Sequence, residues 1–354
     1  MMKKVLYVSG SSAPYRATFF EELGKSCNLT VVYEIEKSTK RDKTWANIKG
    51  DSYKTECLES EKTKSKVGSL CRLLKYVNGD YDKIIIGCYN TFVESAAILY
   101  MRLKRKKFIL NIDGEVGNPQ NILKRIIRDF ILRGADTYLC AGEKSVKRVR
   151  EITRSGRIYP YYFSSLSKAE VLQANSKRVE VNETILCVGW YIKCKGLDIF
   201  LEVAKKRPHC KFKLVGVGES QECADYIKRN EIRNVEVIPF LAKEELALEY
   251  QRCQMLVLPT RKECWGLVIN EGAAYGIPIV ATYGSGAAVE FLLDEYEKYL
   301  AKIGDADDLA YRMQLIAQAT MNEKEEYAKY LRRKAREYTI DKMVEVHLKV
   351  LNEF

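Results

Sequence analysis

Short β-branched runs alternate with longer amphipathic segments from one end of the chain to the other. KVLYVSG (4–10), LTVVYEI (29–35), KIIIGCY (83–89), KFILNID (107–113) and TYLCAG (137–142) read as strands with few polar interruptions. A second set follows: TILCVGW (184–190), FKLVGVG (212–218), VEVIPF (235–240), MLVLPT (255–260) and IPIVATY (277–283). Between them FFEELGKS, VESAAILYMRLKR, GLDIFLEVAKK, SQECADYIKRN and KEELALEYQRC carry apolar residues at helical spacing. Near-continuous apolar strands alternating with helices predict parallel sheets covered on both faces. Two such sets predict two doubly wound α/β domains, 1–165 and 166–335, with the boundary in the polar stretch from about Ser164 to Asn182. The last helical stretch has no strand after it, and its end, about 336–354, is free to pack back on the first domain.

Composition narrows the class. Of 354 residues 47% are hydrophobic and 30% charged, the balance of a soluble globular chain. The opening MMKKVLYVSGSSAPY ends its apolar run in a Ser/Gly/Pro loop, too early for a signal-peptide core or a membrane span. No later segment carries eighteen uninterrupted apolar residues, so a cytoplasmic location is expected. The eleven cysteines are scattered and lack metal spacing, which predicts buried free thiols. His209 and His347 are the only histidines and neither sits in a motif, which argues against a histidine-dependent hydrolase or a zinc enzyme.

The net charge of +12 is concentrated in RLKRKKF (102–108), ILKRIIRDFILRG (122–134) and KSVKRVREITRSGR (144–157). In the second cluster Ile122, Leu123, Ile126, Ile127, Phe130 and Ile131 recur at helical spacing, with Lys124, Arg125, Arg128 and Arg133 on other faces. Two readings stay open: a core-packed helix with a solvated basic side, or a surface for an anionic membrane leaflet. Nucleic acid is disfavoured, because no aromatic residues interleave with the basic runs and no binding motif is present.

The chemistry concentrates in KECWGLVINEGAAYGIPIVATYGSG (262–286). MLVLPT ends in a loop carrying Glu263, a helix starts near Gly266, and Glu271 lies about a turn and a half into it. Gly276 suits the left-handed cap at its end, and Pro278 prevents continuation. Ligands of open parallel sheets bind beyond the carboxyl ends of strands, at helix N-termini. The amides of Trp265, Gly266 and Leu267 are therefore candidates for phosphate, and the two carboxylates for vicinal sugar hydroxyls; a solvated loop residue and a surface helix residue are the plain alternative. VGWYIKCKGLDIFLEVAKK (188–206) places Lys193 and Lys195 in a loop just before another helix, where an ammonium can neutralise a diphosphate. LVGVGES (214–220) adds a third glycine loop.

Together these segments resemble the family 4 glycosyltransferases, retaining enzymes of the GT-B fold. The resemblance follows the order of elements over almost the whole chain. It is specific in the second half: VGW…KG, VGVGES, VEVIPFLAKEEL and the pair of glutamates in E-CWGLVIN-E followed by GAAYGIPIVAT. SAPYRATFFEEL and FILNIDGE resemble relatives that assemble bacterial capsule or exopolysaccharide. The resemblance implies two Rossmann-like domains facing across a cleft and a nucleotide-sugar donor, a UDP-sugar by preference. It further implies a lipid-linked or oligosaccharide acceptor and a peripheral position on an anionic membrane, at the inner face of the cell membrane. No nucleic-acid partner, cofactor or metal is implied, since the nucleotide-sugar is a substrate.

By matching position, Glu263 is implied to bind the donor sugar, Glu271 the ribose, and Lys195 the diphosphate, with the Trp265–Gly266–Leu267 backbone on sugar and phosphate oxygens. Gly189, Gly216 and Gly218 line the donor loops, and the neighbourhood of Phe240 lies against the base. The family commonly has arginine where Trp190 stands, so either Lys193 or Arg261 is expected to replace that charge, or the diphosphate to be held less strongly. The first-domain loop SGSSAPYR leaves Gly10 and Arg16 to act, and Asp113 stands where many relatives have histidine. The Asp-x-Asp pairs of metal-dependent glycosyltransferases have two counterparts, DAD (305–307) and DYD (80–82), read here as a helix cap and a turn. The implied route is front-face, with the leaving phosphate deprotonating the acceptor. A covalent intermediate on Glu263 or Asp113 is the alternative route. A nucleotide-sugar epimerase of the same fold and a non-catalytic basic membrane-binding protein are the rival functions.

Overall fold

The computed structural model describes residues 2–35, 50–59, 65–87, 89–114, 121–153, 155–176, 181–218 and 220–353. It forms two compact units, Met1–Ser165 with Ile340–Phe354, and Leu166–Thr339. The first runs β1 (Lys4–Ser11), α1 (Pro14–Gly24), β2 (Asn28–Ile35), β3 (Tyr53–Cys57), α2 (Lys66–Val77), β4 (Lys83–Ile86) and α3 (Phe92–Leu103). It continues with β5 (Ile109–Ile112), α4 (Ile122–Leu132), β6 (Thr137–Ala141), α5 (Gly142–Ile152) and β7 (Arg157–Tyr161). The second begins α6 (Lys168–Ser176), β8 (Thr184–Val188), a 3-10 turn (Lys193–Lys195), α7 (Leu197–Lys206), β9 (Lys211–Val215), α8 (Gln221–Arg229) and β10 (Val235–Ile238). Then come α9 (Lys243–Arg252), β11 (Met255–Leu258), α10 (Leu267–Tyr275), β12 (Ile279–Thr282), α11 (Gly286–Leu292), β13 (Leu300–Ala301), α12 (Ala306–Gln318) and α13 (Met321–Glu337). The last helix, α14 (Ile340–Glu353), belongs to the first unit.

Among the described residues each unit holds one parallel sheet, ordered β3-β2-β1-β4-β5-β6-β7 and β10-β9-β8-β11-β12-β13. Each order reverses once, between β1 and β4 and between β8 and β11, which leaves a crevice at the carboxyl ends of those strands. The central strands are buried on both faces: Val5, Leu6, Tyr7 and Val8 are fully enclosed, as are Leu256 and Val257. Such strands show continuous apolar runs in sequence.

The strands that the apolar pattern does not reveal have physical reasons for being quiet. In β3 the burial alternates and Lys54 and Glu56 are exposed, as suits the edge of a sheet. β7 is also an edge and carries Pro160, which an edge tolerates. β13 has two residues.

Two expectations need correction. The basic helix α4 is not core-packed along its apolar face: it buries Ile131 and Leu132, while Ile122, Leu123, Ile126, Ile127 and Phe130 are 51–65% exposed. The cysteines are not uniformly buried either. Cys27, Cys140, Cys187, Cys223 and Cys253 are, but Cys71, Cys194 and Cys264 are exposed. Cys194 and Cys264 lie on loops beyond strand ends rather than inside strands.

Helix α14 is seated by its buried face of Ile340, Met343, His347, Val350 and Leu351. The His347 ring packs edge-on against Phe19 and Tyr161, at 4.8 and 5.2 Å between centroids. Its Nδ1 donates to the Met343 carbonyl (2.7 Å), and Nε2 lies 3.0 Å from the side-chain amide of Asn111. Burial, with the charge of Arg16 adding, holds the imidazole down at about 4 despite the Met343 bond. Lys3 Nζ donates to the Leu351 carbonyl (2.7 Å), fastening the far end of the helix to the start of the chain.

Leu351 is 2% exposed, so Leu351→Ala is expected to cost the first unit about 2–4 kcal/mol through lost burial and a residual cavity. Hydrogen exchange checks this: protection should fall in β1, α1 and α14 and stay unchanged in the second unit.

Candidate functional site

The switch point of the second sheet gathers most of the predicted residues. Beyond β8 the chain passes Gly189 and the half-buried Trp190, then makes the turn Lys193–Lys195. Gly196 follows with φ +69°, and a Cβ there would overlap the carbonyl oxygen of Pro259 at the end of β11. Only glycine combines that backbone with that approach. The two loops are then stitched together: the Cys194 carbonyl accepts from the amides of Arg261 (2.8 Å) and Lys262 (3.1 Å). The Arg261 guanidinium forks onto Asp198 at 2.6 and 2.7 Å and donates to the Lys193 carbonyl (3.0 Å). Burial disfavours ionised Asp198, but the arginine hydrogen bonds outweigh it and hold the carboxyl below its usual range. Arg261 is thus a strut between the loops. Of the two expected substitutes for the family arginine, Lys193 is the exposed one.

At the centre Lys195 Nζ donates to Glu263 Oε1. The other carboxylate oxygen accepts from Thr260 Oγ1 (3.3 Å), and the Glu263 amide donates to the Gly284 carbonyl (2.9 Å). Lys195 and Glu263, assigned separately to phosphate and to sugar, form one ion pair with side chains 26% and 19% exposed. An ammonium and a carboxylate this accessible can exchange each other for ligand charges and hydroxyls.

Helix α10 begins beside this pair. Gly266 is its N-cap with φ +103°, no side chain caps the helix, and a Cβ at Gly266 would stand 2.6 Å from Ser285 Oγ. The first turn, from Leu267, presents partial positive charge outward. The Trp265 indole is buried, donating from Nε1 to Asn270 Oδ1 (2.9 Å) and stacking on Tyr338, and its carbonyl accepts from Ser285 Oγ (2.6 Å). Trp265 can therefore serve a ligand with backbone, not with its ring. Glu271 accepts from Tyr250 Oη (2.8 Å). Burial first, and the Glu271 charge second, hold that phenol protonated. Tyr250 escaped sequence reasoning because in KEELALEYQRC it reads as an ordinary core aromatic.

The third loop leaves β9 with the Gly216 and Gly218 amides donating to the Ile238 and Pro239 carbonyls, 3.0 Å each, and Phe240 stands 46% exposed just beyond β10. Glu219 of that loop lies outside the described residues, as do Glu115 of FILNIDGE and Arg154 of the third basic cluster.

In the first unit Gly10 lies near the end of β1, and buried Arg16 on α1 pairs with Asp113 Oδ2 beyond β5. Asp113 Oδ1 accepts from Tyr161 Oη and from Asn111 Nδ2 (2.6 Å), while Arg16 also donates to Tyr7 Oη (3.0 Å). Both oxygens of Asp113 are engaged, which weakens it as a nucleophile. Tyr7, Asn111, Tyr161 and His347 complete this network from four elements, and no local motif announces it.

Neither Asp-x-Asp pair is a free pair of carboxylates. Asp305 caps α12 through the amides of Asp307 (3.1 Å) and Asp308 (2.9 Å), and the Asp307 carboxylate accepts from the Lys206 ammonium (2.6 Å). Asp80 pairs with the Lys4 ammonium, and Asp82 accepts the Lys4 amide (2.8 Å).

Residues 169–346, with all of this loop constellation except the first-unit network, match the family described as glycosyl transferases group 1. The chain belongs to this family. It is 31% identical over 125 residues to an uncharacterized glycosyltransferase of Methanocaldococcus jannaschii, covering 35% of each chain. It is 29% identical over 192 residues to an uncharacterized glycosyltransferase of Haemophilus influenzae, covering 51% of this chain and 52% of that one. A 41.2 kDa protein in the cps region of Klebsiella pneumoniae is 28% identical over 157 residues, with 44% and 43% covered. The chain thus spans about a third to a half of the length of these curated relatives. Among solved structures, Anabaena HepE in complex with UDP-glucose superposes with a TM-score of 0.75 at 14% identity, covering 99% of this chain and all of that one. Sucrose-phosphate synthase of Thermosynechococcus elongatus gives 0.74 at 15% identity, covering 99% and 98%. The fold of the chain is GT-B, two parallel-sheet Rossmann-like domains.

Cys194 and Cys264 flank the Lys195–Glu263 pair in sequence and are exposed, whereas burial pushes the Cys140 and Cys253 thiols up to about 12. Alkylation read by mass spectrometry should mark Cys194 and Cys264 and spare the buried thiols. A nucleotide-sugar is expected to slow labelling at Cys194 and Cys264 by about tenfold and leave exposed Cys71 unaffected.

Proposed function

We propose that this glycosyltransferase is a retaining enzyme of the family 4 type. It moves a sugar from a nucleotide-sugar, a UDP-sugar by preference, to a lipid-linked or polysaccharide acceptor in capsule or exopolysaccharide synthesis. The observation that carries the reading is the Lys195–Glu263 pair beside the uncapped start of α10. The likenesses to HepE with UDP-glucose and to the Klebsiella cps-region protein point the same way.

In this reading the donor diphosphate draws Lys195 away from Glu263. Lys195, exposed Lys193 and the first amides of α10 then take up its charge, the task that a preorganised set of donors performs best. Glu263, released from the ammonium, accepts hydroxyls of the donor sugar. Glu271, oriented by Tyr250, accepts the ribose hydroxyls, and Phe240 lies against the base. Gly189, Gly216 and Gly218 keep the loops close to the ligand. The bond from the anomeric carbon to the diphosphate oxygen breaks, and a bond to the acceptor oxygen forms on the same face. The acceptor proton passes to the departing diphosphate. Asp113, with both oxygens engaged, is not the nucleophile of this scheme. No metal takes part, because cationic side chains and helix amides carry the countercharge. The reaction is placed at the cytoplasmic face of the membrane, with the basic first unit toward anionic lipid.

Glu263→Ala is expected to lower transfer by about a thousandfold or more while leaving the thermal midpoint within a few degrees. Transfer should persist in EDTA. Screening radiolabelled donors against lipid-linked and oligosaccharide acceptors checks both. Donor consumed without any glycan product would instead identify a nucleotide-sugar epimerase.

A further inference from the structure

We infer that α4 is a membrane-inserting element whose apolar stripe enters the head-group layer of an anionic phospholipid bilayer. The inference rests on the reading of the first unit as the membrane-facing one and names the part of it that enters the lipid.

Ile122, Leu123, Ile126, Ile127 and Phe130 occupy positions i, i+1, i+4, i+5 and i+8, one continuous stripe along a helix about 16 Å long. Each is at least half exposed. The helix is held in that attitude rather than loosely placed. Asn121 caps it through the Lys124 amide (3.1 Å), Ile131 and Leu132 are buried, and Arg102 of α3 donates to the Phe130 carbonyl (2.7 Å). The same guanidinium lies 4.2 Å from the Phe130 ring centroid. An apolar face this wide, fixed outward, costs solubility unless something covers it.

The charges around it select the occupant. Lys124 and Arg125 are exposed on α4 itself, and Lys104, Arg105 and Lys107 are exposed just after Arg102, next to Leu103, which is 84% exposed. The acidic residue of α4, Asp129, is neutralised by Arg128 at 2.5 Å, with Arg148 at 3.9 Å. The surface is therefore apolar in the middle and positive at its margins, the complement of an anionic leaflet with acyl chains below charged head groups.

The test is co-sedimentation of the full chain with phosphatidylcholine vesicles containing or lacking phosphatidylglycerol. The wild type should bind the anionic vesicles and retain part of that binding at salt high enough to screen surface charge, because insertion is not screened. The triple variant L123D/I126D/I127D should bind at least about tenfold more weakly. Its thermal midpoint and its stabilisation by a UDP-sugar should be unchanged, since these side chains are solvent-exposed and lie in the first unit. Equal binding by variant and wild type, complete loss of wild-type binding in salt, or no vesicle binding at all would overturn the inference. A wild-type dimer that the variant turns into a monomer in sedimentation velocity would also overturn it, by making a second copy the occupant. Loss of UDP-sugar stabilisation in the wild type would count against the donor site and leave vesicle binding to be judged separately.

Discussion

An ammonium and a carboxylate face each other where the second sheet reverses its order, and the geometry of both neighbouring loops serves that meeting. Lys195 reaches Glu263 because Gly196 lets the first loop lie against the end of β11, and because Arg261 pins Asp198 and the Lys193 carbonyl. Glu263 is held by Thr260 and by a backbone bridge to Ser285, whose hydroxyl fixes the Trp265 carbonyl at the start of α10. The glycine and the strut together hold the two loops that carry these charges. With them in place, a negative ligand finds a cation whose existing partner is itself suited to hydroxyls.

The two glutamates of the signature are treated differently by the fold. Glu263 is paired with a cation and can be released by a competing anion. Glu271 accepts from Tyr250, a buried phenol that burial and the Glu271 charge hold protonated, and that bond orients it. One carboxylate faces an ammonium and the other a phenol, and the proposed function gives the first the reacting sugar and the second the ribose. The first unit builds a different kind of site: Arg16 and Asp113 neutralise each other amid Tyr7, Asn111 and Tyr161, with His347 behind them.

Much of the fold was legible because buried parallel strands leave continuous apolar runs, and Gly276 and Pro278 marked the end of α10 in advance. The edges were not legible, since β3 and β7 need no apolar run and β7 even accommodates a proline. The loop residues of the proposed donor site can be named from spacing and resemblance, but their pairing cannot. Nothing local in KCKG and RKECW says that Lys195 and Glu263 meet, or that Arg261 turns to Asp198. Tyr250, Asn111 and His347 are long-range partners on unrelated elements. The stripe of α4 shows the same limit from the other side: periodicity gave the helix and its apolar face, and only the packing shows that the face points outward.

The account turns on Lys195 exchanging Glu263 for a diphosphate, and calorimetric titration of UDP into the wild type, Glu263→Gln and Lys195→Met tests that exchange directly. Neutralising the competing carboxylate should tighten UDP binding by roughly 1 kcal/mol, and removing the ammonium should weaken it by at least about as much. If Glu263→Gln bound UDP no more tightly and Lys195→Met bound it equally well, the ion pair would be a structural clasp and the donor charge would be met elsewhere.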